Sequence, residues 1–301
     1  MPEVVEIRKY ADFLKSKLKN KYIEKINILQ GRYKKHKPFN LYKEISKELP
    51  LKVIDIKTKG KFLYIVFEKN YYLLSTLGLS GGWLYKNNNI IKFPLEMNYI
   101  KTDIVDSYKM RSLNHLNVEF IISNDKGSIF FYDTLSFGTL KGIDSKEELD
   151  KKLSQIGPDI MDENTTFEIF YKRITNKNVL NKEIGIVLMN QKIISGIGNY
   201  LRADVLWMTK ISPFRKINEL SMIELKNIYK SVRLLTWADY NYKKGVKLGI
   251  IKKTNKIPKD YQRDFFIYMQ NKNIYGETVL KEPLYEGSQK RMIHWVKKRQ
   301  T

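Results

Sequence analysis

Across residues 4–18 the apolar side chains Val4, Ile7, Ala11, Leu14 and Leu18 recur at three- and four-residue intervals. That spacing predicts one buried face of an α-helix. Pro2 stands just ahead of it, where proline is favoured, and Glu3 and Glu6 suit the positive end of the helix dipole. Three residues apart, the two carboxylates share a face. From about residue 22 to 140 the pattern shortens to β-type runs at 26–29, 51–57, 62–68, 71–74, 117–122 and 128–133, with Lys69-Asn70 and Asn87-Asn88-Asn89 as turns. Short strands punctuated this way predict a sandwich or barrel. Residues 142–158 are charged and contain Gly and Pro, which suits a linker. Beyond Pro158 helices are predicted near 166–174, 182–194, 200–208 and 222–242. Thr165 with Glu168, and Ser221 with Glu224, read as capping boxes. From about Phe265 the chain returns to short β-type segments, with turns at Tyr275-Gly276 and Glu286-Gly287.

Composition narrows the chemistry. In 301 residues, 55 Lys and Arg against 32 Asp and Glu leave a net charge of +23, which favours a polyanionic partner because each neutralised phosphate releases counterions. There is no cysteine, so disulfides, thiolate zinc sites and iron–sulfur clusters are excluded. His36, His115 and His294 lack ligand spacing, and neither a metal nor a cofactor is expected. No apolar run approaches the roughly 18 residues of a membrane span, and the N-terminal region lacks a signal-peptide core. A soluble, monomeric intracellular protein is the expectation.

Six places could carry chemistry. Removal of Met1 would leave Pro2 with a free secondary amine, a nucleophile able to form Schiff bases, with Glu3 beside it to move protons. Gly196-Ile197-Gly198-Asn199 joins two predicted helices. It reads either as a phosphate site at a helix N-terminus, with Asn199 as a further donor, or as an ordinary corner ending a helix on glycine. Lys61 enters a predicted strand and is either a phosphate contact or a solvated strand-edge lysine. Leu79, in Leu77-Gly78-Leu79-Ser80-Gly81-Gly82, and Phe137, in Asp133-Thr134-Leu135-Ser136-Phe137-Gly138, could be pushed outward as apolar wedges that fill a gap in a base stack. Alternatively both are core. Arg291, near the Gly287 turn, could grip a phosphate at a hairpin tip or be one basic residue among many.

Taken in order, Met1-Pro2-Glu3 with Glu6, Lys59-Gly60-Lys61, Leu-Gly-Leu-Ser-Gly, Asp-x-x-x-Phe-Gly, Gly157-Pro158-Asp159 and Gly-Ile-Gly-Asn resemble the formamidopyrimidine-DNA glycosylase and endonuclease VIII family. The resemblance spans essentially the whole chain. Gly-Ile-Gly-Asn-Tyr-Leu-Arg-Ala-Asp followed by Ile211-Ser212-Pro213-Phe214 is similar to the Nei-like branch of vertebrates and giant viruses.

The resemblance implies an α+β fold. An N-terminal β-sandwich catalytic domain with its helix would occupy 1–141, a linker 142–158, a helix–two-turn–helix domain 159–262, and a zincless finger 263–301. The implied activity is that of a bifunctional DNA glycosylase and apurinic/apyrimidinic lyase of base excision repair, clamping damaged double- or single-stranded DNA. Pro2 would attack the anomeric carbon of the sugar under an oxidised base, Glu3 would protonate or open the sugar, and Lys61 would assist β-elimination. Arg291 would hold the lesion phosphate and serve δ-elimination. Asn199 would bind backbone phosphate, Glu6 would lie at the DNA site, and Leu79 and Phe137 would fill the void.

The chain departs from the family in two ways. The family's usual four-cysteine finger is missing, so the hairpin would be held by packing of Leu280, Ile293 and Trp295. Leu135 and Ser136 replace two Arg residues carried by many relatives, one of which supports the orphaned base, and this implies weak opposite-base discrimination and tolerance of single-stranded or bubble DNA. The lesion-recognition loop is expected between residues 245 and 259. The rival reading is a non-catalytic nucleic-acid-binding protein that keeps the clamp; the intact Pro2, Glu3 and Lys61 set argues against it.

Overall fold

The computed structural model describes residues 2–88, 90–94, 113–252 and 265–301. The chain divides into two compact units. One comprises Pro2 and Glu6–Ser154, the other Glu3–Val5 and Gln155–Thr301.

In the first unit α1 (Val4–Leu18) occupies the predicted span. Its Ile7, Ala11, Leu14 and Leu18 are buried in the sheet core, while Lys15 bonds Asp55 at 2.7 Å. The strands are β1 (Tyr22–Ile28), β2 (Leu51–Lys59), β3 (Phe62–Phe67), β4 (Tyr72–Thr76), β5 (Gly81–Asn87), β6 (Ile90–Lys92), β7 (Leu116–Ile122), β8 (Ser128–Asp133) and β9 (Thr139–Ile143). They form one antiparallel sheet in the order β6-β5-β8-β7-β1-β2-β3-β4-β9. The sheet is narrowest at β1–β2, where Tyr22 pairs with Lys52 and Ile23 with Leu51.

The two halves of this sheet close on a shared core. Trp83 of β5 is fully buried, packs on Phe120 and Phe131, and donates its indole N–H to Ser75 of β4 from the far half. The result is a sandwich, as expected. Short helices α2 (Arg32–Lys35) and α3 (Tyr42–Lys47) lie between β1 and β2, and α4 (Lys146–Ser154) occupies the stretch expected to be a linker.

The second unit contains α5 (Phe167–Ile174), α6 (Ile184–Val187), α7 (Asn199–Met208), a 3-10 turn (Ile217–Glu219) and α8 (Met222–Lys247). Ser221 caps α8 reciprocally with Glu224, as predicted. For α5 the cap is Thr166 rather than Thr165. The helix expected over 182–194 shrinks to the single turn α6, after which the chain runs through turns. Central to the unit is α7, buried from Tyr200 to Trp207. Strands β10 (Leu280–Glu286) and β11 (Gln289–Trp295) form a hairpin closed at Gly287 (φ +58°). It is anchored by buried Leu284, Ile293 and Trp295, with Trp295 edge-on to Phe214. Leu284 is the anchor, and Leu280 is only half-buried.

Candidate functional site

Glu3 is 99% buried, at 1% exposure. Its carboxylate accepts the backbone N–H of Gly198 at 2.6 Å and of Tyr200 at 2.9 Å. These donors sit at the N-terminus of α7, so the carboxylate occupies the positive end of that helix. A side chain from 195 residues away thus takes two of the backbone donors at this N-terminus, which leaves the Asn199 amide as the segment's candidate phosphate donor. Gly196 has φ +107°, and a Cβ there would lie 2.9 Å from that of Val4. Its freedom admits the N-terminal segment, whose Val4 N–H bonds the Gly196 carbonyl at 3.1 Å. Gln191 braces the turn, accepting from Gly196 N–H and donating to the Ile197 carbonyl, both at 2.9 Å.

Arg202, one turn into α7, is fully buried. Its guanidinium donates to the carbonyls of Gly185 (2.9 Å) and Met292 (2.8 Å) and to Oδ1 of Asn199 (3.2 Å). Since Arg can only donate, the Asn199 oxygen faces it and the amide nitrogen is left as the donor for an outside acceptor. Burial pulls the Arg202 pKa down to about 10, with Glu3 opposing and Arg291 adding to the fall, so the group stays charged at neutral pH. Burial likewise lowers His294, helped by Lys281 and Arg202, and raises Tyr268, helped by Glu3. Tyr268 stacks edge-on against His294 at 5.2 Å. Arg291 is exposed and pairs with Leu284, two residues inside β11 rather than at the tip of the hairpin.

The first unit presents Pro2, half-buried, and Lys61, half-buried at the turn between β2 and β3. Glu6 is half-buried in the first turn of α1. Leu79 and Phe137 are exposed at 49% and 59%, not core. Their loops touch: a Cβ on Gly78 (φ +55°) would lie 2.6 Å from the Phe137 carbonyl carbon. Asp133 ties both loops, accepting from Ser80 Oγ (2.7 Å), Gly138 N–H (2.6 Å) and Leu135 N–H (3.3 Å). Arg32 adds bonds of 3.2 Å to the carbonyls of Ser136 and Gly138. Leu135, 54% exposed, is a third apolar tip on the same loops.

Sequence reasoning missed Arg202, Gln191, Arg32 and the tying role of Asp133. Arg202, Arg32 and Asp133 act on partners distant in sequence, which no local pattern reveals, while Gln191 bonds residues five and six positions on across an irregular turn. Of the segment expected to hold a lesion-recognition loop, residues 245–247 end α8 and Ile251 is buried, while 253–259 lie outside the described residues. Among the described residues no cluster of three or more His, Asp or Glu could hold a metal, and no helix is long and apolar enough to cross a membrane.

Two family models match the chain: the formamidopyrimidine-DNA glycosylase N-terminal domain over residues 1–140 and the formamidopyrimidine-DNA glycosylase H2TH domain over 156–244. A formamidopyrimidine-DNA glycosylase of Wolbachia pipientis is 26% identical over 269 residues, covering 89% of this chain and 88% of the relative. One from Bacillus cereus is 25% identical over 233 residues, covering 77% and 75%. Among solved structures, the Lactococcus lactis enzyme bound non-covalently to DNA containing an abasic site superposes with a TM-score of 0.73 at 20% identity over 99% of both chains. A MutM complex with DNA containing carbocyclic 8-oxo-G gives 0.72 at 21% identity over the full length of both.

Proposed function

Because the chain belongs to the formamidopyrimidine-DNA glycosylase family, we propose that this DNA glycosylase of base excision repair removes oxidised bases through a Schiff base on Pro2 and then cuts the strand by β,δ-elimination. The observation that carries the reading is the double family match over 1–140 and 156–244, joined to a Pro-Glu pair whose Glu3 is locked onto α7.

In this reading the Pro2 nitrogen adds to the anomeric carbon, the damaged base leaves with the bonding pair, and Glu3 delivers a proton to the ring oxygen as the C1′–O4′ bond breaks. The resulting iminium acidifies the neighbouring C–H. Lys61 assists the proton transfers and the phosphates leave in turn, with Arg291 holding the second. Asn199 offers its amide nitrogen to a backbone phosphate. Leu79 and Phe137, exposed on tied loops, fill the gap left by the extruded nucleotide. Residues 1–141 would form the catalytic domain and 159–262 the helix–two-turn–helix domain. The cysteine-free hairpin within 263–301 fits a zincless finger of the Nei-like kind, carrying Arg291. The relatives in the solved complexes hold damaged DNA, and the +23 charge supports the same partner here.

Sodium borohydride reduction in the presence of an abasic-site duplex tests the proposal. A chain with Pro2 exposed is expected to give a covalent protein–DNA adduct, and one whose Pro2 nitrogen is acylated or extended is expected to give none. Adduct formation by the blocked chain would remove Pro2 from the mechanism. Cleavage of the abasic strand also separates the enzyme from a binding protein, which would bind with salt sensitivity and leave the strand intact.

A further inference from the structure

Between Leu29 and Lys43 the chain carries Arg32, Lys34, Lys35, His36, Lys37 and Lys43 and no Asp or Glu. Buried Tyr33 and Phe39, edge-on to one another at 6.1 Å, pin this stretch to the first unit. Tyr33 OH accepts from Leu140 N–H, Asn40 donates to the Gly142 carbonyl, and Gly31 (φ +70°) lies so close to Asn117 that a Cβ would stand 2.7 Å from its amide. The backbone is therefore held while Lys34, Lys35, His36 and Lys37 all face solvent. Among the described residues none of these three lysines carries a salt bridge, whereas Lys15, Lys21, Lys69, Lys141 and Lys146 of the same unit each do. Like charges fixed side by side repel, and a polyanion relieves the repulsion. Arg32 supplies the location: its guanidinium is committed to the carbonyls of Ser136 and Gly138, so the lysines begin two residues from the loop that exposes Leu135 and Phe137. A groove of about 540 Å³ lined by Asn27, Tyr33, Lys34, His36 and Tyr42 opens beside them.

We propose that Lys34, Lys35 and Lys37 form a phosphate-docking strip that grips the sugar–phosphate backbone flanking the Leu79–Phe137 wedge. The inference rests on the DNA-glycosylase reading and adds a binding surface to it. Backbone contact fixes where the protein sits on the strand without reading sequence, so the strip holds the register in which the apolar tips meet the base stack. The partner is a nucleic-acid backbone, because lysines outside any salt bridge among the described residues, three within four residues of a held backbone, match a repeating phosphate.

The test is fluorescence anisotropy of a duplex bearing a tetrahydrofuran abasic analogue, titrated between roughly 50 and 200 mM KCl, where each lost phosphate contact lowers the slope of log K against log salt by about 0.9. The variant Lys34→Ala/Lys35→Ala/Lys37→Ala is expected to lower that slope by about 2 to 3 on the same uncleavable duplex. The Lys→Arg triple variant is expected to keep the wild-type slope, and because all three side chains are exposed both variants should melt with the parent. An alanine variant with the wild-type slope overturns the strip. If instead the parent protein neither traps nor cuts abasic DNA, the underlying reading fails. A parent that cuts, paired with an alanine variant of unaltered slope, sinks the strip alone.

Discussion

Replacing Glu3 with Gln tests whether this residue is structural as well as chemical. The two oxygens accept N–H groups at 2.6 and 2.9 Å inside a buried site at a helix N-terminus. Gln keeps one acceptor and turns an NH2 towards the other backbone donor. One charge-assisted bond is lost, about 2 kcal/mol, and a buried N–H is left unsatisfied, a further 1–3 kcal/mol by the usual range. Loss of the negative charge from the positive end of α7 adds a few tenths to about 1 kcal/mol. Allowing for partial relaxation, Glu3→Gln should destabilise the second unit by about 3 kcal/mol, roughly a hundredfold in its unfolding constant. Urea unfolding followed by tryptophan fluorescence reads this well, because Trp207, Trp237 and Trp295 all lie in that unit. The midpoint should fall by about 1 M or more. A variant as stable as the parent, or more so, would refute the reasoning: Glu3 would then be a strained catalytic carboxylate and not a helix cap.

Arg202→Met preserves bulk but strips the Gly185 and Met292 carbonyls of their donor, so a loss of about 3 kcal/mol is expected, with limited proteolysis cutting within residues 280–295; a hairpin as resistant as the parent's would refute this. Burial disfavours the Asp125 carboxylate, yet Lys21, the Tyr85 hydroxyl and Gly127 N–H outweigh it and hold its pKa at about 2. A folded value below the ordinary one means that the stabilisation is fully present above about pH 4 and lost as pH falls towards 2; Asp125→Asn should flatten that limb of the thermal-stability profile, and an unaltered limb would count against the assignment. Leu79→Ala/Phe137→Ala should slow base release from duplex by about tenfold while sparing single strands, where no partner base must be held apart. Equal loss on both substrates would mean the tips act on the lesion and not on the stack.

Local pattern carried the first helix to its observed ends, since its apolar stripe is continuous and Pro2 fixes its start. It also located most strands of the sandwich. It missed β5, because Gly81-Gly82 reads as a turn; Gly82 is glycine because the Tyr10 and Tyr132 hydroxyls crowd it, a Cβ there falling 2.4 Å from each. The helix expected over 182–194 stops after one turn. Gly185 packs against the Pro213 carbonyl, and the residues that follow turn back to brace Gly196 through Gln191. Within residues 142–158, α4 buries only Leu149, too thin a stripe to announce a helix. At the candidate site the residue types were legible and their bonding was not. That Glu3 seats on Gly198 and Tyr200 depends on a contact closed by the whole second unit.

The hairpin that carries Arg291 is secured by the Arg202 hydrogen bond to the Met292 carbonyl and by Leu284, Ile293 and Trp295, none of which is a thiolate. A cysteine-bound metal would be stripped by chelators, and its sulfurs would be oxidised by the same peroxides that damage bases. Here only Met292 offers the hairpin's strands a sulfur. Such a construction should keep its shape under oxidising conditions, and storage with EDTA or without reductant should leave it intact.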